Sequence, residues 1–262
     1  MDLTFPRFMG HRGAAGLAPE NTLASIRKAA DLGAPWVEFD VMLTGDGVPV
    51  LFHDDSLKRL AGLDVLMAET PYGTVATLDA GSWFDPVFAG EPIPTLEAAL
   101  ALTEELGIHP NIEIKPTPGR DVDTAQAVVE VTERCWNPSR PPPFISSFSH
   151  MSLAVAKVLR PQWPRGCIVH EIPVDWPVVL QALDCTSFHV NCKYLDWQTV
   201  AMVKSAGYKV AAFTVNSGTQ ARELIDAGVD SVITDRPDEI ACALDLGPIE
   251  DGSVEAVVQS RR

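Results

Sequence analysis

Trp36-Val37-Glu38-Phe39-Asp40-Val41 is a short run dominated by β-branched, aromatic and other strand-favouring residues, and it reads as a strand. A helical pattern over residues 22–32 precedes it. Comparable runs recur along the chain: Phe8-Met9-Gly10, Asn111-Ile112-Glu113-Ile114-Lys115, Phe144-Ile145-Ser146-Ser147-Phe148 and Gly166-Cys167-Ile168-Val169. Ser187-Phe188-His189-Val190-Asn191, Val210-Ala211-Ala212-Phe213-Thr214-Val215 and Ser231-Val232-Ile233-Thr234-Asp235 complete the series. Helical periodicity fills the intervals, over residues 95–106, 123–135, 152–159, 196–206 and 219–227. Strand followed by helix about eight times in roughly 250 residues is the pattern of a closed β/α barrel of the TIM type, an α/β fold. An open doubly wound sheet alternates in a similar way. No GxGxxG follows the first strand, however, and the number of units fits closure. Residues 1–248 are therefore expected to form one barrel domain.

One stretch breaks the rhythm. Leu43-Thr44-Gly45-Asp46-Gly47-Val48 reads as a hairpin turn leading into Pro49-Val50-Leu51-Phe52-His53-Asp54. Residues 55–94 then carry several Gly and Pro together with Tyr72, Trp83, Phe84 and Phe88. That is too long and irregular for a strand-to-helix loop, so a small insertion after the second barrel strand, packed over the barrel mouth, is expected. The Arg140-Pro141-Pro142-Pro143 run reads as a stiff loop entering the next strand, and residues 249–262 as a disordered tail.

Composition narrows the class of function. The formal net charge is −15, which disfavours nucleic acid and anionic membranes as partners of the overall field. An anionic substrate would require a local correction, supplied by a divalent cation and a few placed basic residues. The cysteines, Cys135, Cys167, Cys185, Cys192 and Cys242, are odd in number, and no pair has CxxC spacing. Buried, inert thiols in a reducing compartment follow. The start of the chain lacks a basic segment followed by an apolar run, and no window reaches ~18 uninterrupted apolar residues. A cytoplasmic protein without stable membrane association is expected.

The C-terminal ends of barrel strands face the active site. His11-Arg12 ends the first strand. Glu38 and Asp40 lie two positions apart on the second and share a face, as do Glu113 and Lys115 on the third. Three carboxylates converging in one mouth repel each other unless a cation neutralises them, and hard oxygens select Mg2+ or Ca2+, with Mn2+ a further option. One such acid alone would read as a member of a structural ion pair; three on otherwise apolar strands beside His-Arg read as a site. His11 and His53 each end an apolar run and are the natural proton movers near neutrality, whereas His109, His150, His170 and His189 read as structural. Arg12 offers a planar fork for two phosphoryl oxygens and Lys115 a point charge. Asp54 either orients His53 or caps a turn.

These residues also carry a resemblance. His11-Arg12-Gly13, Pro19-Glu20-Asn21-Thr22, Glu38-x-Asp40, Gly47-x-Pro49 through His53-Asp54, Ile93-Pro94-Thr95-Leu96 and Asn111-x-Glu113-x-Lys115 look like the bacterial glycerophosphodiester phosphodiesterase family. So do Thr214-Val215-Asn216, Gly228-Val229-Asp230 and Thr234-Asp235-x-Pro237. Each motif is weak alone; their joint order, from residue 10 to about 240, is specific. The resemblance implies a barrel with a small insertion, one divalent cation, and hydrolysis of a glycerophosphodiester to sn-glycerol 3-phosphate and an alcohol. It implies His11 and His53 as the acid/base pair, Glu38, Asp40 and Glu113 as metal ligands, and Arg12 and Lys115 as phosphate ligands. Glu20 would lie near the substrate, unless that stretch serves as a helix cap through Asn21 or Thr22. The family often has Trp or Tyr where Phe213 stands, which keeps an apolar face for the glycerol and removes a hydrogen-bond donor.

Two other readings stand beside this one. A lysophospholipase D or sphingomyelinase-type enzyme would need an apolar groove, for which Trp83, Phe84 and Phe88 are candidates. A non-catalytic barrel binding phosphorylated polyols should have lost a histidine or a carboxylate, and this chain keeps every expected position.

Overall fold

The structure, a computed structural model, describes residues 4–246; the expected disordered tail lies outside them. Nine strands form among the described residues: β1 Phe8–Gly10, β2 Trp36–Leu43, β3 Pro49–Leu51, β4 His109–Ile114, β5 Phe144–Ser147, β6 Arg165–Val169, β7 Ser187–Asn191, β8 Lys209–Phe213 and β9 Ser231–Thr234. All but β3 run parallel, bonded in the order β1-β9-β8-β7-β6-β5-β4-β2. Pairing of Gly10 with Val37 joins β1 back to β2 and closes the barrel. β3 returns antiparallel along the end of β2, with Val41 opposite Leu51 and Leu43 opposite Pro49, which is the expected hairpin.

The helices are α1 Leu23–Asp31, α2 Lys58–Ala61, α3 Tyr72–Val75, α4 Leu96–Glu105, α5 Asp121–Cys135, α6 His150–Leu159, α7 Trp176–Leu183, α8 Trp197–Ser205, α9 Gly218–Asp226 and α10 Pro237–Ala243. Side-chain oxygens of Thr22, Thr95, Ser149, Asp196 and Ser217 accept the orphan N–H groups that open α1, α4, α6, α8 and α9. Helices α7 and α10 were not evident as periodic patterns. Both are short and carry proline in the first turn, where a missing N–H costs nothing.

Side-chain parity sorts the core. On β2, Val37, Phe39 and Val41 point outward into the apolar layer shared with the helices, together with Ile112 and Ile114 of β4. Trp36 instead packs with Met9, Phe144, Ala211 and Ile233, with Phe5 against them. The same parity puts Glu38 and Asp40 on the Trp36 face, toward the C-terminal ends of the strands. Met42 of β2, Val50 of β3 and the segment between β3 and α4 build a second small core, with Phe52, Leu57, Leu60, Met67, Val75, Ala80 and Ile93. The proline run behaves as a loop: Trp136 Nε1 donates to Pro141 O at 2.9 Å and Arg140 lies over the Trp136 ring. All five cysteines are free, and burial pushes the Cys167 and Cys185 thiols up to about 12, which leaves them inert. Among the described residues, no helix is long and apolar enough to cross a membrane.

Candidate active site

Asp40 on β2 and Glu113 on β4 are register partners, and Glu38 lies one pleat below Asp40. One oxygen from each of the three comes within 4.8 Å of the others, and all three residues are buried. Burial, then Asp40 and Glu113, push the Glu38 carboxyl well above the usual range. Burial, then Asp40, raise Glu113 to about 8. Burial would also raise Asp40, but Arg12, Lys115 and His53 outweigh it and hold its carboxyl low. Glu38 Oε1 and Glu113 Oε1 have no hydrogen-bond partner among the described residues. Buried carboxylate oxygens in that condition are costly unless a cation takes them up. The donor set, three hard oxygens, fits one.

The basic residues close round the acids. Arg12 follows β1 in the left-handed region, at φ +49°, and its backbone N–H donates to Glu38 Oε2 at 2.9 Å. Its Nε lies 3.2 Å from Asp40 Oδ2, and its Nη1 donates to Glu20 Oε1 at 2.7 Å. Lys115 Nζ is 3.7 Å from Asp40 Oδ1 and 3.8 Å from Glu113 Oε1, ionic neighbours too far apart to be hydrogen-bonded. Asn21, also left-handed at φ +56°, donates Nδ2 to Asp40 Oδ2 at 2.9 Å and accepts the Asp40 N–H at 3.1 Å. Thr22, rather than Asn21, caps α1.

Each candidate histidine has its own acid. His11 Nδ1 meets Asp235 Oδ1 at 2.6 Å, and Asp235 Oδ2 accepts from Asn216 Nδ2 at 2.7 Å. His53 Nδ1 meets Asp54 Oδ1 at 2.8 Å. Burial would raise Asp235, but its bond to His11 keeps it low, while Arg59 above all brings Asp54 to about 2. Both acids are therefore ionised acceptors, so each Nδ1 carries the donated proton and each Nε2 is left for chemistry. His11 Nε2 lies 4.0 Å from Glu38 Oε2. Burial, the largest influence, lowers the His53 imidazole below its usual value despite the pull of Asp40.

A cleft of about 480 Å³ opens beside Glu113 and Lys115, bounded by Asp55, Asp121, Phe148 and His170. A cavity of about 20 Å³, bordered by His11, Glu38, Asn111, Glu113, His189 and Phe213, lies beneath the acids. Phe213, at the end of β8, meets Phe148 edge to face at 5.9 Å.

The profile of the glycerophosphoryl diester phosphodiesterase family matches residues 11–239. The chain belongs to this family. A glycerophosphodiester phosphodiesterase of Caldanaerobacter subterraneus is 33% identical over 239 residues, 88% of this chain and 95% of that one. An Oleispira antarctica phosphodiesterase, solved in complex with the product sn-glycerol-3-phosphate, is 43% identical. It superposes with a TM-score of 0.90, over 92% of this chain and 97% of its own. The Thermotoga maritima glycerophosphodiester phosphodiesterase is 25% identical, with a TM-score of 0.72 over 90% and 97%.

In this family member the structure gathers His11, Arg12, Glu20, Glu38, Asp40, His53 and Glu113 with Lys115 into one linked cluster, and sets Phe213 at its edge. Glu20 spends both oxygens on arginines, accepting from Arg12 and Arg59. Asn21, Asp235, Asn216 and Arg59 had no site role in the sequence reading. Asn216 and Asp235 stood in recognisable motifs, but the bond between them needs β8 beside β9, and the contact of Asp235 with His11 needs β9 beside β1. His189 is structural as expected, sealed in the barrel with Nε2 2.8 Å from Ser187 Oγ and its imidazole lowered by burial to about 3. His170, read likewise as structural, is exposed at the rim of the cleft, its ring 4.8 Å from that of Phe148. Phe84 meets both Trp83 and Phe88 edge to face, and Trp83 Nε1 donates to Ala80 O at 2.7 Å.

Proposed function

We propose that this enzyme carries out metal-dependent hydrolysis of glycerophosphodiesters, releasing sn-glycerol 3-phosphate and an alcohol. The observation that carries the reading is the convergence of three buried acids, two of them with unpartnered oxygens, between Arg12, Lys115 and two His–Asp pairs. Glu38, Asp40 and Glu113 would hold a hard divalent cation, Mg2+ or Ca2+, with Mn2+ also acceptable. When bound, such a cation neutralises the acids and polarises a phosphoryl oxygen. Arg12 and Lys115 bind the remaining phosphoryl charge. His11 and His53, each with Nε2 free, divide the two proton transfers, one from the attacking oxygen and one to the departing alkoxide. Phe213 offers an apolar face to the glycerol. Glu20 contributes by orienting Arg12.

Residues 55–94 serve as a cap on one barrel domain, anchored by their own small core. The free thiols and strongly negative charge favour a cytoplasmic enzyme acting on deacylated diesters. The deciding experiment is a coupled assay for glycerol 3-phosphate over glycerophosphocholine, glycerophosphoethanolamine, glycerophosphoinositol and a lysophospholipid, with and without chelator. Chelator-sensitive release from the first three supports the reading; turnover of the lysophospholipid alone overturns it.

A further inference from the structure

Arg59 lies on the single-turn helix α2, between Leu57 and Leu60, which are buried in the second small core. Those anchors hold its guanidinium between two acids. Nε donates to Asp54 Oδ2 at 2.6 Å and Nη2 to Asp54 Oδ1 at 3.0 Å. Nη1 donates to Glu20 Oε2 at 2.8 Å and Nη2 to Glu20 Oε1 at 2.8 Å. One planar cation thus bridges two carboxylates, each in bidentate contact, a task its fork geometry suits and an ammonium cannot perform. Beyond Asp54 stands His53, and beyond Glu20 stands Arg12. The result is a continuous chain, Arg12–Glu20–Arg59–Asp54–His53, that crosses from the first strand's loop to the insertion.

We propose that Arg59 is a positioning residue through which the insertion sets the His53 ring and the Arg12 guanidinium for the reaction. This rests on the reading that those two groups act on the diester. Without Arg59, Asp54 loses both of its bonds to the guanidinium and is free to swing away from His53 Nδ1, and Glu20 keeps only Arg12. A partly exposed ion pair contributes little to stability. The effect should therefore fall on turnover and not on the melting temperature. It also gives residues 55–94 a part in the chemistry beyond covering the mouth.

The test uses the full chain loaded with Mg2+. Arg59→Ala should lower kcat about 10–100-fold, the usual scale for losing a group that orients a reacting one. KM should rise as Arg12 loosens, and metal affinity should stay unchanged. Arg59→Lys should not restore turnover, whereas added guanidinium should restore part of it in Arg59→Ala and none in His53→Ala. Asp54→Asn combined with Arg59→Ala should be no worse than the poorer single variant. Lys58→Ala, on the same turn in an exposed pair with Asp64, serves as the control and should match the wild type. Imidazole nitrogen NMR reads the same point without turnover: the His53 Nδ1 proton signal should broaden or vanish in Arg59→Ala while that of His11 persists. Unchanged His53 signals, or a kcat loss that Lys58→Ala reproduces, would overturn the proposal. If the wild type releases no glycerol 3-phosphate, the functional reading fails, and the NMR comparison still decides the role of Arg59.

Discussion

His11 is oriented by Asp235, 224 residues further along the chain, through a 2.6 Å contact between Nδ1 and Oδ1. The first parallel strand delivers the histidine and the residue just past the last one delivers its acid. Register pairing of Gly10 with Thr234 places the two side by side.

The histidine pairs are the sharpest point of test. His11→Ala and His53→Ala should each lose at least about two orders of magnitude in kcat while keeping fold and bound metal. A nitrophenolate leaving group needs little protonation, so it should restore the variant that lacks the general acid and leave the other impaired. Asp235→Asn should impair the natural diester in the same direction as His11→Ala and by less. Near wild-type rates in both alanine variants would make the histidines structural.

The three clustered acids make metal dependence the expected outcome. Excess chelator should abolish turnover, and Mg2+ or Ca2+ should restore it. Glu38→Gln, Asp40→Asn and Glu113→Gln should each weaken cation binding, read by calorimetry, as well as rate. Full activity in chelator with no metal detected in the protein would end this reading.

The raised Glu113 carboxyl makes the metal-free protein sensitive to alkali. Its ordinary value is 4.5 and the folded value is about 8, so between them the native state keeps a proton that the unfolded chain has released. Stability of the metal-free protein should therefore fall as pH rises through that window, and level off above it. Glu113→Gln should flatten this slope and melt higher than the wild type near pH 8 in chelator, by scanning calorimetry. Cation binding must expel the same proton, so affinity should fall as pH drops below about 8. A melting temperature of the chelated wild type that climbs through the window would contradict this sign.

Gly13 supports the turn that places Arg12. Its φ is +88°, and an added Cβ would run into the backbone and side chain of Ser25 on α1. Gly47 shares a left-handed φ, +86°, with open space around it. Gly47→Ala should cost only the left-handed strain, about 1–2 kcal/mol. Gly13→Ala should cost more in urea unfolding and also lower turnover, because relief of the collision displaces Arg12. Equal costs at the two positions would show that the packing against Ser25 is unimportant.

Much of the site is legible in the sequence alone. A strand's side chains alternate, so Glu38-x-Asp40 and Glu113-x-Lys115 declared shared faces from spacing alone, and the structure places them so. The His53-Asp54 pair was legible as one of two options, and the bond at 2.8 Å selects the orienting one. Arg59 was not legible. A charged residue on a single exposed turn looks like any solvated side chain until the small core of the insertion carries that turn up to Glu20.

The linear pattern by itself determined the barrel class, the hairpin at residues 43–48, the excursion that follows, and the facing of the three acids. Each depends on local periodicity or turn chemistry, which short windows of chain contain in full. Only tertiary structure decided which groups hold the reacting ones: Asp235 and Asn216 for His11, Asn21 for Asp40, and Glu20 for both arginines. Apart from Arg12–Glu20, which lies within one loop, those bonds join residues that become neighbours only when strands pair or the insertion folds against the barrel, and such pairing leaves no periodic trace in the residues it joins.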